Sequence, residues 1–192
     1  MLEDLAGHLT RVLTARPRRV LERPEKTVAA VLVPLLAVDG EPHLLFTRRS
    51  ADLPHHQGQV SFPGGRRDAG RDVDLQSTAL REAEEEIGLQ REEVHVVGAL
   101  DDIETMSTQF LITPFVGVVA RTAAWVPDPR EVDAVFTVAL RHLRTPGVER
   151  RETWDFQGHP VQIDLYDADG HVIWGATHRI TRNLLAVLDL TA

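Results

Sequence analysis

Apolar residues at Leu2, Leu5, Leu9, Val12 and Leu13 recur at helical spacing, and the Arg- and Pro-bearing residues 16–24 end that pattern. This predicts a peripheral N-terminal helix, with residues 1–26 an extension ahead of one domain over 27–190. Residues 27–38 and 42–47 are β-branched and apolar, and Asp39-Gly40 between them is a turn dipeptide, so a hairpin is predicted. Residues 59–62 alternate polar with apolar before Pro63-Gly64-Gly65, which is read as ending a strand and opening a loop. Leu75, Ala79, Leu80, Ala83 and Ile87 return to helical spacing, with Asp74 as N-cap and Gly88 as C-cap. Beyond this best-marked helix, residues 94–100, 110–120, 132–138, 153–156 and 161–166 read as strands. Asp169-Gly170 turns into another over 171–174, and residues 180–190 close the chain as an amphipathic helix. Residues 122–129 and 141–151 are expected to be loops. The order is mostly strands, with one central and two terminal helices.

The length of 192 residues suits one well-buried domain, and 43% hydrophobic with 26% charged residues is ordinary for a folded chain. The longest apolar run, residues 28–38, contains Pro34 and falls far below the roughly 20 residues needed to cross a bilayer. No membrane span is predicted, no secretory signal is visible, and a cytoplasmic location is expected. The absence of cysteine excludes disulfides, thiolate metal sites and a cysteine nucleophile, so any metal must bind oxygen or imidazole. A net charge of −8 argues against a nucleic-acid binder. It leaves room for a small anionic substrate, because a divalent cation reverses the local sign at an acidic site.

The chemistry concentrates in Arg81-Glu82-Ala83-Glu84-Glu85-Glu86-Ile87-Gly88. At about 100° per residue Glu85 and Glu86 flank the face of Glu82 while Glu84 points away. Like charges one turn apart repel, so stability alone does not favour the pattern, and a cation relieves it. Oxygen-only ligands suit Mg²⁺ or Mn²⁺, with waters and substrate phosphates completing the shell. A solvated acidic face is the plain alternative. Against it stands Gly64-Gly65 just upstream, where backbone can approach a metal or phosphate closely.

These residues resemble the signature of the Nudix hydrolases: a glycine, five residues, a glutamate, seven residues, then Arg-Glu-aliphatic-any-Glu-Glu-any-Gly-aliphatic. Gly65 matches the opening glycine, and Arg81, Glu82, Ala83, Glu85, Glu86, Gly88 and Leu89 match its end. The segment from Gly65 to Arg81 is two residues longer than the signature, and Asp72 or Asp74 stands where its first glutamate falls. A second run, Leu45-Phe46-Thr47-Arg48-Arg49-Ser50, then Leu53, His56, Gly58, Gln59, Phe62, Pro63, Gly64 and Gly65, is similar to the motif of the coenzyme A pyrophosphatase branch. Pro54 replaces an arginine of that motif, whose part is either absent here or supplied by Arg48, Arg49, Arg66 or Arg67.

The resemblance implies an α/β/α sandwich with a mixed β-sheet, and hydrolysis of coenzyme A or a derivative to 3′,5′-ADP and 4′-phosphopantetheine. It implies Mg²⁺ or Mn²⁺ held by Glu82, Glu86, Glu85 and Gly65, with Glu85 or another acid deprotonating the attacking water. Arg48, Arg49, Arg66 and Arg67 are the substrate-binding candidates, and Arg81 is expected to orient the glutamates. A Nudix hydrolase of ADP-ribose or another nucleotide diphosphate derivative is the alternative, and a non-catalytic ligand-binding Nudix domain a further one. His55 and His56 read as surface residues, Glu104 as ordinary loop acidity, and Trp154, Phe156 and Trp174 as core before base-stacking groups.

Overall fold

The computed structural model describes residues 2–53, 57–105, 109–120, 124–156 and 158–190. The first hairpin forms as the pattern predicts, with β1 (Thr27–Val38) and β2 (Glu41–Arg49) joined at Val38↔Glu41. Its turn residues Asp39 and Gly40 both have positive φ, 50° and 81°, the type I′ geometry that matches strand twist. After β3 (Val60–Ser61), the Gly-Gly pair does not open a loop. It forms β4 (Gly64–Arg66), which pairs antiparallel with β1 through Ala30↔Gly65.

The central helix α2 (Leu75–Ile87) follows, then β5 (Val94–Ala99), β6 (Ile103–Glu104), β7 (Phe110–Val119) and β8 (Val132–Ala139). Among the described residues eight strands make one sheet, ordered β3-β2-β1-β7-β5, with β4 on β1, β6 on β7 and β8 on β2. The β1–β7 pair is parallel and the others antiparallel, so the sheet is mixed. Lying mid-sheet, β1 is apolar on both faces. Ala30, Leu32 and Leu36 pack with Ala79, Ala83 and Ile87 of α2, while Val33 and Leu35 join the opposite core.

That opposite core contains α1 (Leu2–Ala15) and α4 (Gly175–Leu188), which gives the expected α/β/α sandwich. The first helix is not peripheral. Leu9 is fully buried, and Leu13 lies where a side chain at Gly98 would come within 2.9 Å of its Cβ. The segment after α1 is tied down by the Leu21 amide and Arg18, both donating to the buried carboxylate of Asp102, and by Lys26 paired with Glu104 at 3.0 Å. Residues 1–26 are read from sequence as an extension because their helical apolar spacing ends at the Arg- and Pro-bearing residues 16–24. Helical apolar spacing reports a buried stripe without saying what covers it.

The expected loop at 141–151 instead contains a short helix α3 (Leu140–Leu143) and the start of β9 (Glu149–Phe156). With β10 (His159–Ala168) and β11 (His171–Trp174), β9 forms a three-stranded antiparallel sheet. No helix among the described residues is long and apolar enough to cross a membrane.

Candidate active site

The phase of α2 is set at both ends and along one face. The Asp74 carboxylate accepts from the Ser77 amide at 2.7 Å while Ser77 Oγ accepts from the Asp74 amide, a reciprocal cap. Gly88 closes the helix in the left-handed conformation, φ 70°. With Ala79, Ala83 and Ile87 buried against β1, Glu82 and Glu86 are carried to the edge of that face, next to β4. A Cβ at Gly65 would lie 2.6 Å from the Glu82 carboxylate, and one at Gly64 would lie 2.4 Å from the carbonyl of Ala30. The Gly-Gly pair therefore lets the strand lie between sheet and carboxylate with backbone alone.

Glu86 is only 3% exposed. Burial, followed by repulsion from Glu82, pushes its carboxyl up to about 8, while Arg49 and the Gly64 backbone amide act the other way. Glu82 is also raised, by burial first, despite its ion pair with Arg81 at 2.8 Å. Glu131 acts on both as a further like charge. Nothing in the local sequence marks Glu131. Its loop is tied to the end of α2 by Asp128 N–H donating to the Glu86 carbonyl and Val126 N–H to that of Ile87. Ser50 N–H donates to the Glu131 carbonyl at 2.8 Å and fixes the loop against the end of β2.

The lengthened middle of the signature has a structural explanation. Asp72 is buried, and Arg81 grips it through Nε and Nη2 at 2.8 and 3.0 Å. Those hydrogen bonds hold the Asp72 carboxyl far below the usual carboxylate range. Asp72 thus anchors Arg81, and Asp74 caps the helix. Arg81 also reaches Glu85 and Glu82, so it orients the acidic cluster as expected. Glu85 is largely exposed and bonded by Arg71 as well as Arg81. Burial is the largest single influence on its carboxyl and raises the pKa, but the hydrogen bonds and charges of Arg71 and Arg81 together outweigh it and the net shift is downward. Glu84 is displaced from this patch, 4.0 Å from Arg91.

The four arginine candidates separate. Arg49 acts on Glu86, and its Nε is buried without a hydrogen-bond partner among the described residues. Arg48, paired across from Val60, lines a cleft toward the small sheet. Arg66 lends its carbonyl to Arg81, and Arg67 donates to the carbonyl of Val73; both side chains are exposed. Glu104 is held by Lys26 and Arg23 and is lowered by them, Lys26 first, so it is a structural anion. Trp154, Phe156 and Trp174 are half-buried or exposed on the small sheet and lie outside both core clusters. Periodicity within a strand could not show that their face lacks a covering layer. His55, His56 and Pro54 lie outside the described residues.

Among the described residues no three Asp, Glu or His side chains form a ready-made cage for an ion. The pair Glu82 and Glu86 nevertheless suits Mg²⁺ or Mn²⁺, which need one or two carboxylates when waters and phosphates complete the shell. Two desolvated acids with raised pKa values, beside a third like charge, are the donor set that a cation stabilises.

A NUDIX domain profile matches residues 26–157. The "Uncharacterized Nudix hydrolase NudL" of Pectobacterium atrosepticum is 36% identical over 186 residues, covering 94% of this chain and 92% of that one. Among solved structures, a MutT/nudix family protein from Enterococcus faecalis aligns with a TM-score of 0.56 at 15% identity, over 97% of this chain and 74% of that one. The NUDIX domain of Shewanella oneidensis NrtR, solved with ADP ribose, aligns at 0.51 and 18% identity, over 71% and 86%. At these identities the structural likenesses speak to the fold. The profile spans residues 26–157 and the relative nearly the whole sequence, and this chain belongs to the Nudix hydrolase family.

Proposed function

We propose that the chain is a Mg²⁺- or Mn²⁺-dependent diphosphatase that cleaves coenzyme A or its derivatives to 3′,5′-ADP and 4′-phosphopantetheine. The observation that carries the hydrolase reading is the buried Glu86 beside Glu82, two acids whose ionised forms are disfavoured until a cation joins them. Glu82 and Glu86 would hold the metal, with the Gly65 backbone alongside and Glu85 at the rim. When bound, it supplies neutralisation of the bridging phosphates and a more acidic water. Water attacks one phosphorus, the bridging P–O bond breaks, and the released proton passes to Glu85 or Glu131. Arg81 keeps Glu82 and Glu85 in place for this. The coenzyme A reading rests on the branch motif running from Leu45 to Gly65, with Arg48, Arg49, Arg66 and Arg67 as candidates for the ribose 3′-phosphate.

Turnover of coenzyme A, dephospho-coenzyme A and ADP-ribose with Mg²⁺ and Mn²⁺ tests both parts. Coenzyme A should be hydrolysed with a kcat/KM roughly tenfold to a hundredfold higher than the other two, the contribution of one charged hydrogen bond. Glu82→Gln and Glu86→Gln should lose most activity, and Glu84→Gln should keep it. Wild-type turnover in both variants, or undiminished hydrolysis after exhaustive chelation, sinks the metal site. Equal rates on the three substrates sink coenzyme A recognition alone, and a preference for ADP-ribose moves the assignment to that class.

A further inference from the structure

Trp154, Phe156 and Trp174 form an aromatic surface on the three-stranded sheet. The centroids of Trp154 and Trp174 are 5.2 Å apart, edge to face, and those of Trp154 and Phe156 6.4 Å. Phe156 is 43% exposed and neither indole is buried. The register explains the grouping: Trp154 lies opposite Val161 and Trp174 opposite Leu165, so both indoles share one face. Trp154 Nε1 donates to Glu152 Oε2 at 2.8 Å, which fixes the indole before any ligand arrives.

Beside this surface opens a cleft of about 360 Å³, lined by Trp154 and Trp174 on one side and by Arg48 and Gln57 to Val60 on the other. Its walls are fastened together, because Thr177 Oγ1, just past Trp174, donates to the Val60 carbonyl at 3.0 Å. Val60 in β3 and Gly65 in β4 are five residues apart along the chain, at most about 18 Å, and Gly65 lies against Glu82. One end of an extended diphosphate ester can therefore occupy the cleft while its linkage lies at the carboxylates.

We propose that this cleft is the nucleobase subsite, in which a purine stacks on the open face of Trp154 with Trp174 set edge to face beside it, while Arg48 pairs with a phosphate on the same nucleotide. The edge-to-face indoles are already in contact, so the base stacks on their open side and does not enter between them. Flat π surfaces with a guanidinium at the rim suit a base joined to an anion better than a flexible aliphatic arm. The subsite rests on the diphosphatase reading for its place in a reaction, but its binding can be measured without turnover.

The test is calorimetric titration with 3′,5′-ADP, which carries base and phosphates but no diphosphate linkage, and with pyrophosphate, which carries no base. Trp154→Leu should weaken 3′,5′-ADP about tenfold or more and Trp154→Phe should largely restore it, with pyrophosphate affinity unchanged in both. Arg48→Ala should also weaken 3′,5′-ADP. In the wild-type protein 3′,5′-ADP should quench tryptophan emission, a readout that needs no variant to fold. No quenching at saturation, or 3′,5′-ADP affinity unchanged in both Trp154→Leu and Arg48→Ala, overturns the subsite even if coenzyme A is hydrolysed. If another purine diphosphate is hydrolysed in place of coenzyme A and Trp154→Leu raises its KM, the subsite stands and the coenzyme A reading falls.

Discussion

Replacing Asp72 with asparagine should separate the anchor of Arg81 from the acids Arg81 serves. The carboxylate is buried and doubly bonded by Arg81, so the variant leaves a guanidinium without its main partner and should lose about 3 kcal/mol of stability at pH 7. The sign with pH follows from the lowered folded pKa. The unfolded chain takes up the proton first on acidification, so the stabilisation is complete above about pH 4 and is lost as pH falls further. Urea unfolding from pH 3 to 7 should show a shallower acid dependence for Asp72→Asn than for the wild type; parallel curves would remove Asp72 from that role. Neither this anchor nor Glu131 was legible in the sequence. Asp72 and Asp74 were equal candidates for one signature position, and only the folded loop shows one gripping Arg81 and the other capping α2.

At the scale of elements, the approach of β4 to α2 and the seating of α1 carry separate expectations. Gly65→Ala places a methyl group against the Glu82 carboxylate, and a flexible carboxylate can swing aside. Stability should change little, whereas activity should fall roughly a hundredfold, the usual cost of moving a catalytic group by about 1 Å. Thermal melting and turnover on one preparation check this, and wild-type activity would mean that Glu82 tolerates displacement. Leu9→Ala should have the opposite profile. Leu9 is fully buried between α1 and the rest of the core, so the variant should lose about 3 kcal/mol in denaturant unfolding while the folded fraction keeps wild-type kcat. A loss below about 1 kcal/mol would return α1 to the periphery, where apolar spacing alone had placed it.

For the whole molecule, a cation that binds only the folded state raises stability by mass action, about 2.7 kcal/mol at a hundred times its dissociation constant. In a chain of this size that moves the melting temperature by roughly 5–10 °C. Scanning calorimetry should show the shift with Mg²⁺ or Mn²⁺ and its loss in Glu86→Gln, and an equal shift in the variant would place the ion elsewhere. What the sequence determined by itself was the set of local instructions. Asp39-Gly40 and Asp169-Gly170 specify positive-φ turns, Asp74 and Gly88 bound the helix, and the residues between them fix which carboxylates share its edge. Those interactions span only a few residues, so spacing and residue type suffice to read them. The tertiary structure alone decided that β4 runs along β1, that Glu131 joins Glu82 and Glu86, that α1 belongs to the core and that the tryptophans line an open cleft. Each of these depends on which distant surface covers a residue, and burial, the quantity that sets its pKa or leaves its ring exposed, is defined only once the chain has packed.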